Sequence, residues 1–331
     1  MAMNYMEEYQ KWLDSGALTE AEHAELLAIR EDPKEIESRF YGPLEFGTAG
    51  LRGTMKVGLH HMNNYVVRHA TQGFANVIAA EGAAAKERGV AICMDCRLHN
   101  MDFARAAAEV MAGNGIHVRI FDELRPTPEL SFAVREYHCQ AGINITASHN
   151  PKEYNGYKVY WEDGAQLPPQ HADAISAELE KIDIFKDIRS MPYEEAVAAV
   201  MITAMGELVP LALRRMGMKH IICEPQQMVI DGNFPTVKSP NPENPEGFYL
   251  AVELAKEHDA TLIVGTDPDA DRVGIMVRND KGEYVPFTGN QTGALLADYL
   301  IGAKKRAGTL PENPAVLKSI VSSEMVRAIA E

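Results

Sequence analysis

The chain has 331 residues, of which 46% are hydrophobic, and a formal charge of −15. That length fits two or three domains with ample core, and the acidic surplus argues against nucleic acid or an anionic membrane as the main partner. No run of about 18 apolar residues could span a bilayer, the acidic opening Met1–Glu8 lacks a signal-peptide core, and four cysteines do not make a disulfide scaffold, so a cytoplasmic location is expected.

Residues 1–45 read as a helical leader packed on the first domain. Thr19 with Glu22 spells a capping box. Asp32-Pro33 with Glu35 gives an N-cap, a first-turn proline and an acid in the first turn. Leu26, Leu27 and Ile29 are its expected buried face. The pattern then alternates: helix Tyr65–Ala80, strand Val90–Met94, helix Phe103–Ala112 stopped by Gly113, and strand His117–Phe121. A helix from Thr127 to about Tyr137, strands Gly142–Thr146 and Tyr157–Trp161, and a helix over about Gln170–Ile182 follow. A second region from Leu208 has a helix ending near Gly217 and a strand His220–Cys223. A loop Asp231–Gly247, a helix to about His258 and an apolar strand Thr261–Val264 come next. From Phe287 a third region shows a helix Thr292–Leu300 and a strand Val316–Val321. Strand–helix alternation of this kind is α/β: consecutive three-layer α/β/α domains with mixed, mostly parallel sheets. Cys93-Met94-Asp95-Cys96 spells C-x-x-C, but no second pair accompanies it and Cys93 lies in an apolar strand, so a structural cysteine is expected.

After the strand Thr261–Val264 comes Gly265-Thr266-Asp267-Pro268-Asp269-Ala270-Asp271-Arg272. Pro268 argues against a helix, and in an extended segment side chains at i, i+2 and i+4 point one way. Two like charges 4 Å apart repel by about 4 kcal/mol at an effective dielectric near 20. The three aspartates therefore either splay into water or hold a cation, and a set of hard oxygens without His or Cys favours Mg²⁺. A calcium EF-hand loop is excluded by spacing: counted from Asp267, positions six and twelve hold Arg272 and Arg278 rather than Gly and Glu. Ala147-Ser148-His149-Asn150-Pro151 leaves another apolar strand. On composition it is either a turn or a reactive loop, and it lacks the G-x-S-x-G of a hydrolase elbow.

Together, Thr146–Pro151 and Gly265–Arg272 resemble the phosphoserine and metal loops of the α-D-phosphohexomutase superfamily, which includes the phosphoglucomutases and phosphomannomutases. Glu45–Gly53 resembles that family's N-terminal active-site segment, and Asn155-Gly156-Tyr157-Lys158 follows the serine loop at the expected distance. Trp161–Gly164 and Asn241–Gly247 look most like the phosphoglucomutase and phosphopentomutase branch. The resemblance implies a leader (1–45), a domain with the phosphoserine loop (46–207), a domain with the metal loop (208–286) and the start of a third (287–331). The family's fourth domain, and with it most of the substrate-reading half, is absent from the sequence. The first strand of the second domain is not read near Glu207: either the protein lacks it or intervening residues are closed up in the numbering, and the second is expected because losing a central parallel strand would expose apolar faces and unpaired backbone. A chain ending at Glu331 is expected to have little mutase activity.

The implied reaction interconverts glucose 1-phosphate and glucose 6-phosphate through a phosphoserine and a sugar 1,6-bisphosphate that also serves as activator. Phosphopentomutase, phosphomannomutase, a catalytically incompetent phosphosugar-binding fragment and a plain hydrolase stand as alternatives. In the implied site one Mg²⁺ is held by Asp267, Asp269, Asp271 and a phosphoryl oxygen on Ser148. Arg272 contacts phosphate. Lys158, with its pKa lowered by desolvation and nearby cations, or alternatively Arg52, removes the sugar proton, and both contact substrate. His149 assists proton transfer or hydrogen-bonds the phosphoserine.

Overall fold

The structure is a computed structural model and describes residues 4–47, 50–205 and 221–331. Two compact units divide these residues: one holds 1–240 together with 268–271, the other 241–267 and 272–331.

The first unit is built on a six-stranded sheet among the described residues. Its strands are β1 (Leu51–Thr54), β2 (Val90–Met94), β3 (Val118–Phe121), β4 (Ala141–Ile145), β5 (Tyr154–Trp161) and β6 (Ile202–Met205), in the order β1-β5-β4-β2-β3-β6. The pairs β4–β2, β2–β3 and β3–β6 are parallel, while β5 runs antiparallel to both β4 and β1. Strands β2 and β4 are buried at every position, which is why β2 reads as an unbroken apolar run and β4 as one broken only by Asn144, without the alternation of a half-exposed strand. Helices α4 (Asn64–Ala80) and α6 (Asn100–Gly113), with the short α5 (Ala83–Arg88) between them in sequence, bury their apolar faces in the main core cluster. Residues of α7 (Thr127–Glu136) join Ala91, Cys93 and Tyr160 in a second cluster. Gly156 in β5 is required by close approach: a Cβ there would lie 2.5 Å from the Thr146 carbonyl oxygen and 2.9 Å from that of Leu51. Cys93 is buried and unbridged, as expected of a structural cysteine.

The leader forms α1 (Tyr5–Asp14), α2 (Glu20–Ala28) and α3 (Pro33–Phe40). Both expected start signals are present: the Thr19–Glu22 capping box, and the Asp32 side chain accepting from the Glu35 amide. The buried face differs from expectation, because Leu27 is exposed whereas Leu26 is fully buried with Trp12, Ile36 and Phe40. Trp12 meets the edges of Phe40, Tyr65 and Phe185 at centroid distances of 5.2–5.7 Å. The chain's other tryptophan, Trp161, ends β5 and stacks on His171 at 4.2 Å.

The second unit contains an antiparallel sheet of β7 (Leu262–Thr266), β8 (Val273–Arg278) and β9 (Tyr284–Phe287). Phe248, Ala255, Ile263 and Met276 form its small core. A 19-residue helix, Gly289–Ala307, opens on a Thr288–Gln291 capping box and is longer than the sequence signals indicate. Two expected strands are corrected. Residues 221–223 and 316–321 form no strand, since neither run pairs with a neighbour, and Leu317 and Ile320 are almost fully exposed. The helix expected to end near Gly217 and the interruption near Glu207 lie outside the described residues.

Candidate active site

Ligands of α/β sheets gather beyond the carboxyl ends of the strands, and the loops that follow β2, β3 and β4 supply this site. Strand β4 delivers Ser148, which is buried and held at φ +52°, a left-handed conformation uncommon outside glycine. Its amide donates to Thr146 Oγ1 (2.8 Å), and the Thr146 hydroxyl donates to Asp95 Oδ2 (2.6 Å). The loop is braced from below by Arg97. Its guanidinium donates to the carbonyl oxygens of Ser148 (2.5 Å), Asn150 (2.6 Å), Pro151 (2.9 Å) and Tyr154 (3.1 Å), with Asp95 alongside at 3.4 Å. Burial pushes the Asp95 carboxyl up to about 6 even though Arg97 and Thr146 favour its charged form. Residues 231–240 close over the same loop: Phe234 lies under the Arg97 guanidinium, and Ser239 donates to the His149 carbonyl (2.9 Å).

The tip of the acidic loop, 268–271, packs with the first unit. Lys158, buried on β5, donates to Asp269 Oδ2 at 2.7 Å and to Asp271 Oδ2 at 3.0 Å. The Ser148 hydroxyl lies 3.4 Å from Asp271 Oδ1 and 3.2 Å from His149 Nδ1. Within the loop, Asp267, Asp269 and Asp271 each bring a carboxylate oxygen within 4.8 Å of the others. The Arg272 amide donates to Asp267 Oδ1 (3.0 Å).

The expected site residues thus fall into groups. Ser148, His149, Lys158, Asp269 and Asp271 are linked in a chain of contacts: His149 to Ser148, Ser148 to Asp271, and Lys158 to both Asp271 and Asp269. Arg52, exposed on β1, reaches the serine loop through Asn150 Oδ1 at 3.0 Å. Arg272 is half-buried and engages the loop through its backbone. Thr48 and Ala49 of the N-terminal segment lie outside the described residues. One expectation is reversed: burial works to lower the Lys158 pKa, but the Asp269 and Asp271 carboxylates outweigh it and hold the ammonium above its ordinary range. Asp95, Arg97, Thr127 and Asn144 were not singled out from the sequence. The available signal was a polar residue within or just after an apolar strand, as in Ala-Gly-Ile-Asn-Ile, where burial demands a partner.

Models described as "Phosphoglucomutase/phosphomannomutase, alpha/beta/alpha domain I" and "domain II" match residues 43–185 and 170–282. A phosphopentomutase of Mus musculus is 35% identical over an alignment that covers 98% of this chain and 60% of the relative. A phosphoglucomutase of Staphylococcus epidermidis is also 35% identical, over 87% of this chain and 58% of its own length. The chain therefore spans about 60% of the length of the curated relatives it matches. A crystal structure of a phosphoglucomutase/phosphomannomutase family protein from Burkholderia thailandensis shares the fold, with a TM-score of 0.58 at 20% identity over 78% of this chain and 59% of that one. The two domain matches follow in order, domain I before domain II with an overlap at 170–185, and the chain belongs to the phosphoglucomutase/phosphomannomutase family.

Proposed function

We propose that this chain carries the phosphoryl-transfer machinery of a phosphosugar mutase. In this reading Ser148 is the nucleophile that becomes phosphoserine, Asp267, Asp269 and Asp271 hold one Mg²⁺, and Arg52, His149, Lys158 and Arg272 surround the transferring phosphate. One observation carries it: within a single compact unit, Ser148, Lys158, Asp269 and Asp271 meet although Ser148 and Asp271 are 123 residues apart in sequence.

The donor set fits a hard divalent cation, being three carboxylates of one loop with their oxygens within 4.8 Å and no His or Cys among them. When bound, such a cation neutralises charge on the oxygens of the transferring phosphoryl group. The chain's own residues account for the remaining chemistry. Ser148 Oγ forms a bond to phosphorus of a sugar bisphosphate as the bond from phosphorus to the sugar oxygen breaks; the proton released by the hydroxyl ends on that oxygen. When the isomeric sugar monophosphate then occupies the site, its free hydroxyl attacks the phosphoserine, the bond from phosphorus to Ser148 Oγ breaks, the hydroxyl's proton returns to Oγ, and the bisphosphate is regenerated. His149 Nδ1, at 3.2 Å, is the group beside Ser148 Oγ able to pass that proton. Lys158 acts as a fixed positive charge beside the carboxylates. Arg97 keeps the nucleophile's backbone in place.

Glucose 1- and 6-phosphates are the leading substrates, supported by the phosphoglucomutase relatives. A pentose phosphate is the second reading, supported by a phosphopentomutase that aligns with 98% of the chain. The test incubates the protein with Mg²⁺ and glucose 1,6-bisphosphate and maps phosphate by mass spectrometry. One phosphoryl group on Ser148, lost in Ser148→Ala, is expected; label elsewhere, or label that persists in Ser148→Ala, overturns the proposal. Loss of the Ser148 label in a single turnover on adding glucose 1-phosphate or ribose 1-phosphate then separates the two substrates without requiring sustained mutase activity.

A further inference from the structure

The acidic loop is gripped by a residue 142 positions earlier in the chain. Thr127 opens α7, and its amide donates to the Asp269 carbonyl at 2.6 Å while its hydroxyl donates to Asp269 Oδ2 at 2.9 Å. The direction of that hydroxyl follows by elimination. Asn144 Nδ2 lies 2.7 Å from Thr127 Oγ1, and an amide nitrogen can only donate. Thr127 Oγ1 therefore accepts from Asn144, and its single hydrogen goes to the carboxylate. Asn144 and Asp269 are fully buried and Thr127 nearly so, so water does not compete and each bond is strengthened. The hydroxyl is not used to cap its own helix, whose N-cap is Pro126 with no side-chain capping bond.

Lys158 also touches Asp269 Oδ2, but its ammonium is a compact point charge with three rotatable donors and imposes little direction on the carboxylate. Thr127 and Asn144 are rooted in α7 and β4 and do impose one. We infer that Thr127, with Asn144 behind it, is a positioning residue that sets the Asp269 carboxylate for a divalent cation and so tunes cation affinity. This inference rests on the proposed reading of Asp267, Asp269 and Asp271 as cation ligands.

Mn²⁺ serves as the probe, with the free ion titrated by electron paramagnetic resonance against the 331-residue protein. The wild type is expected to bind one Mn²⁺, and Asp269→Asn to lose it. Thr127→Val should weaken binding about 10–100-fold, as removal of an outer-shell partner does. Thr127→Ser, which keeps the hydroxyl, should stay within about threefold of wild type, whereas a merely structural role for Thr127 would not give this split. If the wild type binds and Thr127→Val matches it, the inference fails while the cation reading stands. If wild type and Asp269→Asn behave alike, the cation reading itself fails and takes the inference with it. Should circular dichroism show Thr127→Val unfolded, Asn144→Ala tests the same relay. Freeing the threonine hydroxyl to rotate is expected to weaken Mn²⁺ binding, and unchanged affinity there overturns the inference.

Discussion

Replacing Arg97 by Met tests whether one guanidinium holds the serine loop. The Arg97 side chain is fully buried, donates to four carbonyl oxygens between Ser148 and Tyr154, and lies beside the equally buried Asp95. Hydrogen bonds to a charged group contribute about 1.5–3 kcal/mol each, and four of them summed naively would exceed about 6 kcal/mol. Members of one network do not add, and Met preserves much of the stem's volume. Removing one partner of a buried ion pair costs about 3–5 kcal/mol because the other charge is stranded, and that term sets the scale. A loss of about 4 kcal/mol is expected, a large part of the roughly 5–15 kcal/mol that stabilises a domain. Urea unfolding of the wild type, Arg97→Met, Asp95→Asn and the double variant measures it. The double variant should fall short of the sum by about 1–3 kcal/mol, since neutralising Asp95 removes the stranded charge. A loss under about 1 kcal/mol for Arg97→Met, or strict additivity, would refute the reasoning.

Three further outcomes are expected. Gly156→Ala should cost at least about 2 kcal/mol in the same urea assay, because its Cβ meets two backbone oxygens that cannot yield; an unaltered midpoint contradicts the close approach. Trp12→Ala should cost about 3–5 kcal/mol and Leu27→Ala under about 0.5 kcal/mol, the first being buried among three aromatic rings and the second exposed; equal losses would contradict this account of the leader. Two buried groups should tilt the pH dependence in opposite directions. Burial, with Lys56 and Arg39 nearby, lowers the His61 pKa from 6.5 to about 4, so its contribution is present above pH 6.5 and is lost as pH falls towards 4, by about 3 kcal/mol. Asp95 is raised from 3.8 to about 6, so its contribution is full below pH 3.8 and is lost as pH rises through 6. Unfolding free energies measured from pH 4 to 7 should show His61→Asn removing a loss on acidification and Asp95→Asn removing a gain; slopes of the same sign in both variants contradict these assignments.

Much of the first unit was legible because its signals are local. Val90–Met94 was placed to the residue, as continuous burial leaves an unbroken apolar run, and both leader start signals depend on residues three apart. Strand β1 was missed, being four residues long with an arginine and a glycine in it, and it exists only because β5 offers an edge. Residues 316–321 show the converse: an apolar, β-branched run without a pairing partner is no strand. At the site, the serine and aspartate motifs were visible because each is contiguous. Arg97, Thr127 and Asn144 escaped notice because their roles depend on bonds to residues far along the chain, which no window on the sequence contains. The reversed Lys158 pKa has a related origin: the resemblance puts Lys158 and the aspartates in one site but does not show that two carboxylates bond its ammonium directly.

The two tryptophans fall on different structural parts: Trp12 in the aromatic knot that pins the leader, and Trp161 at the end of the strand that carries Lys158. Intrinsic fluorescence thus has two emitters in distinct surroundings, one flanked by Tyr and Phe rings and the other stacked on an imidazole. Single Trp→Phe replacements would separate their spectra. Loosening of the leader and disturbance of β5 could then be followed as separate optical signals in one cuvette, without an attached dye.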